Sequence, residues 1–107
     1  IEVLDKLENE SALRSFMRIL TFTDMAKLDS KQQGLLTDFC FTSLRSGNSA
    51  IAIKAYSMDI IYKIAVIYPE LVHELAATIN MLQGEGSAGI VARGRIILKR
   101  LAEISKP

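Results

Sequence analysis

One cysteine, one histidine, two prolines and six glycines are all that 107 residues hold of these types, and each shortage excludes something. A lone Cys40 rules out an intramolecular disulfide and any multi-cysteine metal site, and it fits a reducing, cytoplasmic setting. The lone His73 sits in His73-Glu74-Leu75-Ala76-Ala77, which lacks the second histidine of a zinc-binding helix. So few prolines and glycines leave room for long uninterrupted helices. No apolar run approaches the length of a membrane span. The opening segment Ile1–Glu8 has acids and no basic start, so it does not read as a signal peptide. It begins at Ile1, and the expectation is a longer chain whose N-terminal edge packs on preceding residues or on another subunit.

What is present is globular. Half the residues are apolar and 23% are charged, a composition that folds and does not stay disordered. The length supports one domain with its own core. Net charge is only +1, but residues 1–86 hold eight Lys/Arg against eleven Asp/Glu, and residues 87–107 hold five against Glu103 alone. The body is mildly acidic and the tail basic.

Apolar residues recur at spacings of three and four, and turn signals come at helix-length intervals, so the fold class is all-α. The clearest helix covers 49–67, with one stripe of Ile51, Ala55, Met58, Tyr62 and Ala65 and a second of Ile53, Ile60, Ile64 and Ile67. Two stripes imply burial on more than one side. Asn48 or Ser49 is positioned to cap it, and Pro69 ends it and opens the next helix, 69–83. That helix turns Leu71, Leu75, Ile79 and Leu82 inward, with Val72 and Ala76 alongside. Gly84 suits a left-handed stop. Ser87 caps a last helix, 87–104, with Ile90, Ile97, Leu101 and Ile104 inward. Upstream, 11–22 reads as a helix through Leu13, Phe16, Met17 and Leu20. Asp29 or Ser30 caps another, 30–46, with Leu35, Leu36, Phe39, Cys40 and Leu44 on its buried side and Gly47 at its end. Ile1–Leu7 reads as the end of a further helix. The expected organisation is one domain over 1–107, with an irregular hairpin at 1–28.

Shifting the sequence by 39 residues lays Ile51-Ala52-Ile53-Lys54-Ala55 over Ile90-Val91-Ala92-Arg93-Gly94, Met58 over Ile97 and Leu36 over Leu75. Two helices per period of about 40 residues is the pattern of the HEAT/armadillo class. The cap, the apolar residue and the basic–small pair (Lys54-Ala55, Arg93-Gly94) resemble the first helix of a HEAT repeat, where the small residue permits close helix approach. Pro69 resembles that family's corner proline. The resemblance covers roughly 30–104, while Ser15 and Phe16 depart from the pair. It implies a right-handed superhelix of antiparallel helical hairpins and a non-enzymatic scaffold or adaptor for a protein partner. The stretches Lys54–Met58 and Glu85–Gly89 also resemble short bacterial HEAT-like proteins sometimes labelled adenylosuccinate lyase. One histidine and no matching serine loop do not fit that label.

No residues read as catalytic, cofactor-binding or metal-binding. Gly84–Gly89 follows a helix and matches no phosphate-binding fingerprint. His73 reads as a surface histidine and Cys40, beside Phe39 and Phe41, as a buried inert thiol. Asp59 and Lys63 read as a surface pair one turn apart, and Tyr56, Tyr62 and Tyr68 as packing residues spread around their helix. The basic tail is the one candidate site. Arg93 and Arg100 share one face of the last helix, and Arg95, Lys99 and Lys106 share another. These cations either solvate the end of the stack or contact an acidic partner. Nucleic acid is the alternative partner, since helical-repeat proteins of one DNA-repair glycosylase group grip phosphates with basic concave surfaces.

Overall fold

The computed structural model describes residues 10–84 and 86–104. The expected helix end at Ile1–Leu7, together with Glu85 and Lys106, lies outside the described residues. Five α-helices follow in order: α1 (Glu10–Thr21), α2 (Ser30–Arg45), α3 (Ile51–Ile67), α4 (Val72–Gln83) and α5 (Ala88–Ile104). Short 3₁₀ turns at Met25–Lys27 and Pro69–Leu71 precede α2 and α4. There is no strand among the described residues.

Sequence chemistry sets most of the ends. Asp29 accepts from Gln32 N at 2.8 Å while Gln32 returns its side chain to Asp29 N at 3.0 Å, a reciprocal capping box for α2. Ser87 Oγ accepts from Ile90 N at the start of α5. Pro69 begins the 3₁₀ turn that leads into α4, where a missing N–H costs nothing. Two expectations fail. Neither Asn48 nor Ser49 caps α3: the N-cap is Ala50, with no side-chain hydrogen bond. Gly84 ends α4 at φ −85°, not in the left-handed region. What the second turn requires instead is space at Gly86, where a Cβ would stand 2.7 Å from Leu82 O and 2.8 Å from Ile90 Cγ2.

The helices form two rows. α1, α3 and α5 lie side by side with α3 in the middle, and α2 and α4 cover α3 and α5 as the second row. Dimensions of 40 × 32 × 19 Å match this, the shortest being about two helix diameters. α3 is therefore the central element, and its two apolar stripes both find cover. Ile53, Met58, Ile60, Ile61, Ile64 and Ala65 are all buried. Leu36, Leu75, Ile79, Ile90, Ile97 and Leu101 complete the core from α2, α4 and α5. Leu35, Ile51 and Ile67, placed on apolar stripes by spacing alone, are exposed. Phe41, which the stripe omitted, is buried.

The small residue of the second basic–small pair has the expected role. A Cβ on Gly94 would stand 2.5 Å from Gln83 Oε1 and 2.9 Å from Ile79 Cγ2, so its absence lets α5 lie close against α4. Across the rows, Gln33 donates to Met25 O at 3.0 Å and accepts from the Tyr68 hydroxyl at 2.5 Å. This buried amide ties α2 to the turn before it and to the corner between α3 and α4.

Candidate functional site

The 39-residue correspondence explains the surface of α5. Met58 and Ile97 are both fully buried, but α3's Ile60 and Ile64 correspond to Lys99 and Glu103, which are exposed. Those α3 residues pack on a neighbour, and the matching side of α5 meets solvent. Lys99 thus stands on the side of α5 that corresponds to the packed side of α3.

The tail cations divide between two places. Arg93 and Arg100 reach Asp59 and Tyr62 of α3 and line one cavity with them, whereas Arg95 and Lys99 are exposed outside it. The cavity that Arg93 and Arg100 enter lies on the α1/α3/α5 row and has a volume of about 360 Å³. α1 and the residue after it supply Arg18, Thr21 and Phe22, and α3 supplies Tyr56, Asp59, Tyr62 and Lys63. Four cations, Arg18, Lys63, Arg93 and Arg100, therefore line one cavity with a single carboxylate, Asp59, and three of them, Arg93, Arg100 and Lys63, act on it electrostatically. The groove on the opposite row has the other sign: Asp38 and Glu70 line it and no cation does.

Each charged group on the row has a definite situation. Asp59 Oδ1 receives Arg93 Nη1 at 3.5 Å, a long contact, and the Asp59 side chain is 19% exposed. Burial raises the Asp59 carboxyl above its ordinary value, while Arg93, Arg100 and Lys63 pull it back down. The expected Asp59–Lys63 pair does not form: Lys63 Nζ donates to Thr23 O at 3.2 Å. The α1-side carbonyl and the α5 guanidinium both compete with the one-turn partner, and the rotamers follow them. The Arg100 guanidinium lies over the Tyr62 ring at 5.7 Å from its centre, a cation–π arrangement. Neither Arg18 nor Arg100 is held by a carboxylate among the described residues.

Arg18, Tyr56, Asp59, Tyr62 and Lys63 were not among the expected site residues. A signal for part of the set was present: Tyr56, Asp59 and Lys63 recur at helical spacing on a helix otherwise dominated by apolar residues. Arg18 had none, because only packing brings α1 beside α3.

The other candidates assemble nothing. His73 is exposed on α4, and Glu74 beside it is engaged by Arg45 of α2 at 2.7 Å. Cys40 is fully buried, and burial pushes its thiol up to about 12 despite a hydrogen bond with Ser57. Among the described residues no three metal-ligating side chains gather, and no helix is long and apolar enough to cross a membrane.

The profile of the HEAT repeat domain matches residues 1–101. No curated protein and no solved structure matches the chain.

Proposed function

We propose a function from one premise: this chain belongs to the HEAT repeat domain family. Membership makes it a helical-repeat scaffold with an interaction role, and the proposal concerns which surface holds the partner. We assign that role to the α1/α3/α5 row, with an acidic segment of a partner protein as the occupant.

One observation carries the reading: three adjacent helices converge four cations on a single cavity rimmed by Phe22, which is 80% exposed. A charged cleft attracts a partner of opposite sign, and exposed aromatic surface beside it supplies apolar contact. A protein segment fits better than a duplex. Duplex binding wants a track of cations spaced along the phosphates. Here four cations gather in one cavity that also holds a carboxylate, and Arg95 and Lys99 do not line it.

The test is fluorescence anisotropy with two probes, a labelled Glu/Leu-rich peptide and a labelled DNA duplex, each at low and moderate salt. The expected result is tighter peptide binding, lost in the Arg18→Glu/Arg100→Glu variant and kept in Arg95→Glu/Lys99→Glu. Steeply salt-dependent duplex binding abolished by the first variant would replace the protein partner with nucleic acid. Indifference of peptide binding to the first variant would remove the α1/α3/α5 row from consideration.

A further inference from the structure

The cavity on the α1/α3/α5 row offers more donors than a carboxylate can use. Arg18 from α1 and Arg100 from α5 line it from either side of α3, and neither has an ion-pair partner among the described residues. Each guanidinium presents a rigid fork of N–H donors. One carboxylate satisfies one such fork. A phosphoryl group has three terminal oxygens and can take two forks at once, with acceptor capacity left for a hydroxyl.

That hydroxyl is available. Tyr68, at the far end of α3, spends its O–H on Gln33, but Tyr56 and Tyr62 line the cavity and their hydroxyls have no partner among the described residues. The charge balance agrees. Four cations less Asp59 leave three positive charges facing the cavity, which suits a dianion better than a monoanion. Phe22 and the two tyrosine rings give apolar walls for whatever carries the anion, and about 360 Å³ is roomy for a phosphoryl group together with a side chain. Asp59 has its own task in this arrangement: it occupies Arg93 and disfavours anions that do not bring enough charge to overcome its repulsion.

We propose that this cavity is a receptor for a phosphate monoester carried on a side chain of the partner, clamped between Arg18 and Arg100 with Tyr56 and Tyr62 as hydroxyl donors. The inference rests on the reading of the α1/α3/α5 row as the partner face, and it adds the chemical class of the group recognised there. Recognition of phosphorylated segments by clustered arginines is a general solution to this problem.

The experiment titrates the full chain with phenyl phosphate, benzoate, inorganic phosphate and a short phosphotyrosine peptide, followed through backbone amide NMR shifts. Phenyl phosphate is expected to move resonances of α1, α3 and α5 around the cavity and to bind about tenfold or more tightly than benzoate. The phosphopeptide should bind at least as tightly as phenyl phosphate. Binding should weaken as pH falls through about 6, where the phosphate loses its second charge. Arg18→Ala and Arg100→Ala should each weaken it about tenfold with the remaining spectrum unchanged, and Arg95→Ala should not. Equal binding of benzoate and phenyl phosphate would overturn the phosphate assignment while leaving the acidic-partner face intact. Phenyl phosphate or inorganic phosphate binding with the peptide excluded would overturn the side-chain source and make this a small-molecule site. No shifts around the cavity with any probe would overturn the receptor altogether.

Discussion

Asp59 holds a carboxylate where water is scarce, and this makes its ionisation a stability term. Its folded-state value is raised above the ordinary 3.8, first by burial, with Arg93, Arg100 and Lys63 compensating in part. The folded chain therefore binds this proton more readily than the unfolded chain does. Ionisation of Asp59 opposes folding, so its contribution is most favourable at low pH and is lost as pH rises from about 3.8 through the raised value. Asp59→Asn removes that term. The expected outcome is that the variant gains stability relative to the parent as pH rises above about 3.8, read from urea unfolding midpoints. A difference that stays constant across that rise would contradict the raised carboxyl. The inert Cys40 was legible from its phenylalanine neighbours in the chain. The partner of Asp59 was not, because sequence offers Lys63 one turn away whereas the guanidinium that reaches it belongs to Arg93, 34 residues on.

Two glycines inside helices separate propensity from packing at the scale of the element. Gly34 of α2 has nothing within 4 Å of where a Cβ would go, while Gly94 of α5 faces Gln83 and Ile79 of α4. The Gln83 amide cannot simply swing aside, because its Nε2 is bonded to Val91 O at 3.1 Å. Gly34→Ala is expected to stabilise the protein by about 0.5–1 kcal/mol, since alanine restricts the unfolded chain and favours helix. Gly94→Ala receives the same local benefit but overfills the α4–α5 contact, and should destabilise by about 1–2 kcal/mol net. Chemical denaturation of the pair checks both signs. Two destabilised variants would mean that Gly34 has a neighbour, and two stabilised ones that α5 can shift. The starts of α2 and α5 were legible because Asp29 and Ser87 cap through their own side chains. The start of α3 was not, because two polar candidates precede it and the chain turns at Ala50 instead.

Position within the two rows decides what each apolar residue of α3 is worth in the whole molecule. Ile61 is fully buried between neighbouring helices, and Ile51, of the same type on the same helix, is 54% exposed. Ile61→Ala is expected to cost about 2–5 kcal/mol through lost burial and the cavity left behind. Ile51→Ala should stay within about 0.5 kcal/mol. Thermal or urea unfolding of the two variants measures the difference, and comparable losses would show that α3 is not the middle of its row. The same placement governs the candidate site. α1 and α5 flank α3, so Arg18, Asp59 and Arg100 from three separate stretches of chain come to one cavity.

Hydrophobic period, caps and the 39-residue self-similarity determine from the sequence alone that the chain is helical and that its hairpins repeat. These are local or periodic properties: a helix buries what recurs at its own pitch, and two similar hairpins pack in similar ways. The basic tail was legible in the same sense, as a charge count and a helical face. Tertiary structure alone decided which cations share a cavity. It set Arg93 and Arg100 beside α3 in one cavity, left Arg95 and Lys99 outside it, and added Arg18 and Lys63 from elsewhere. The physical reason is that charges combine through space. Helix pitch places a side chain on a face, and only the packing of α1, α3 and α5 sets which faces meet.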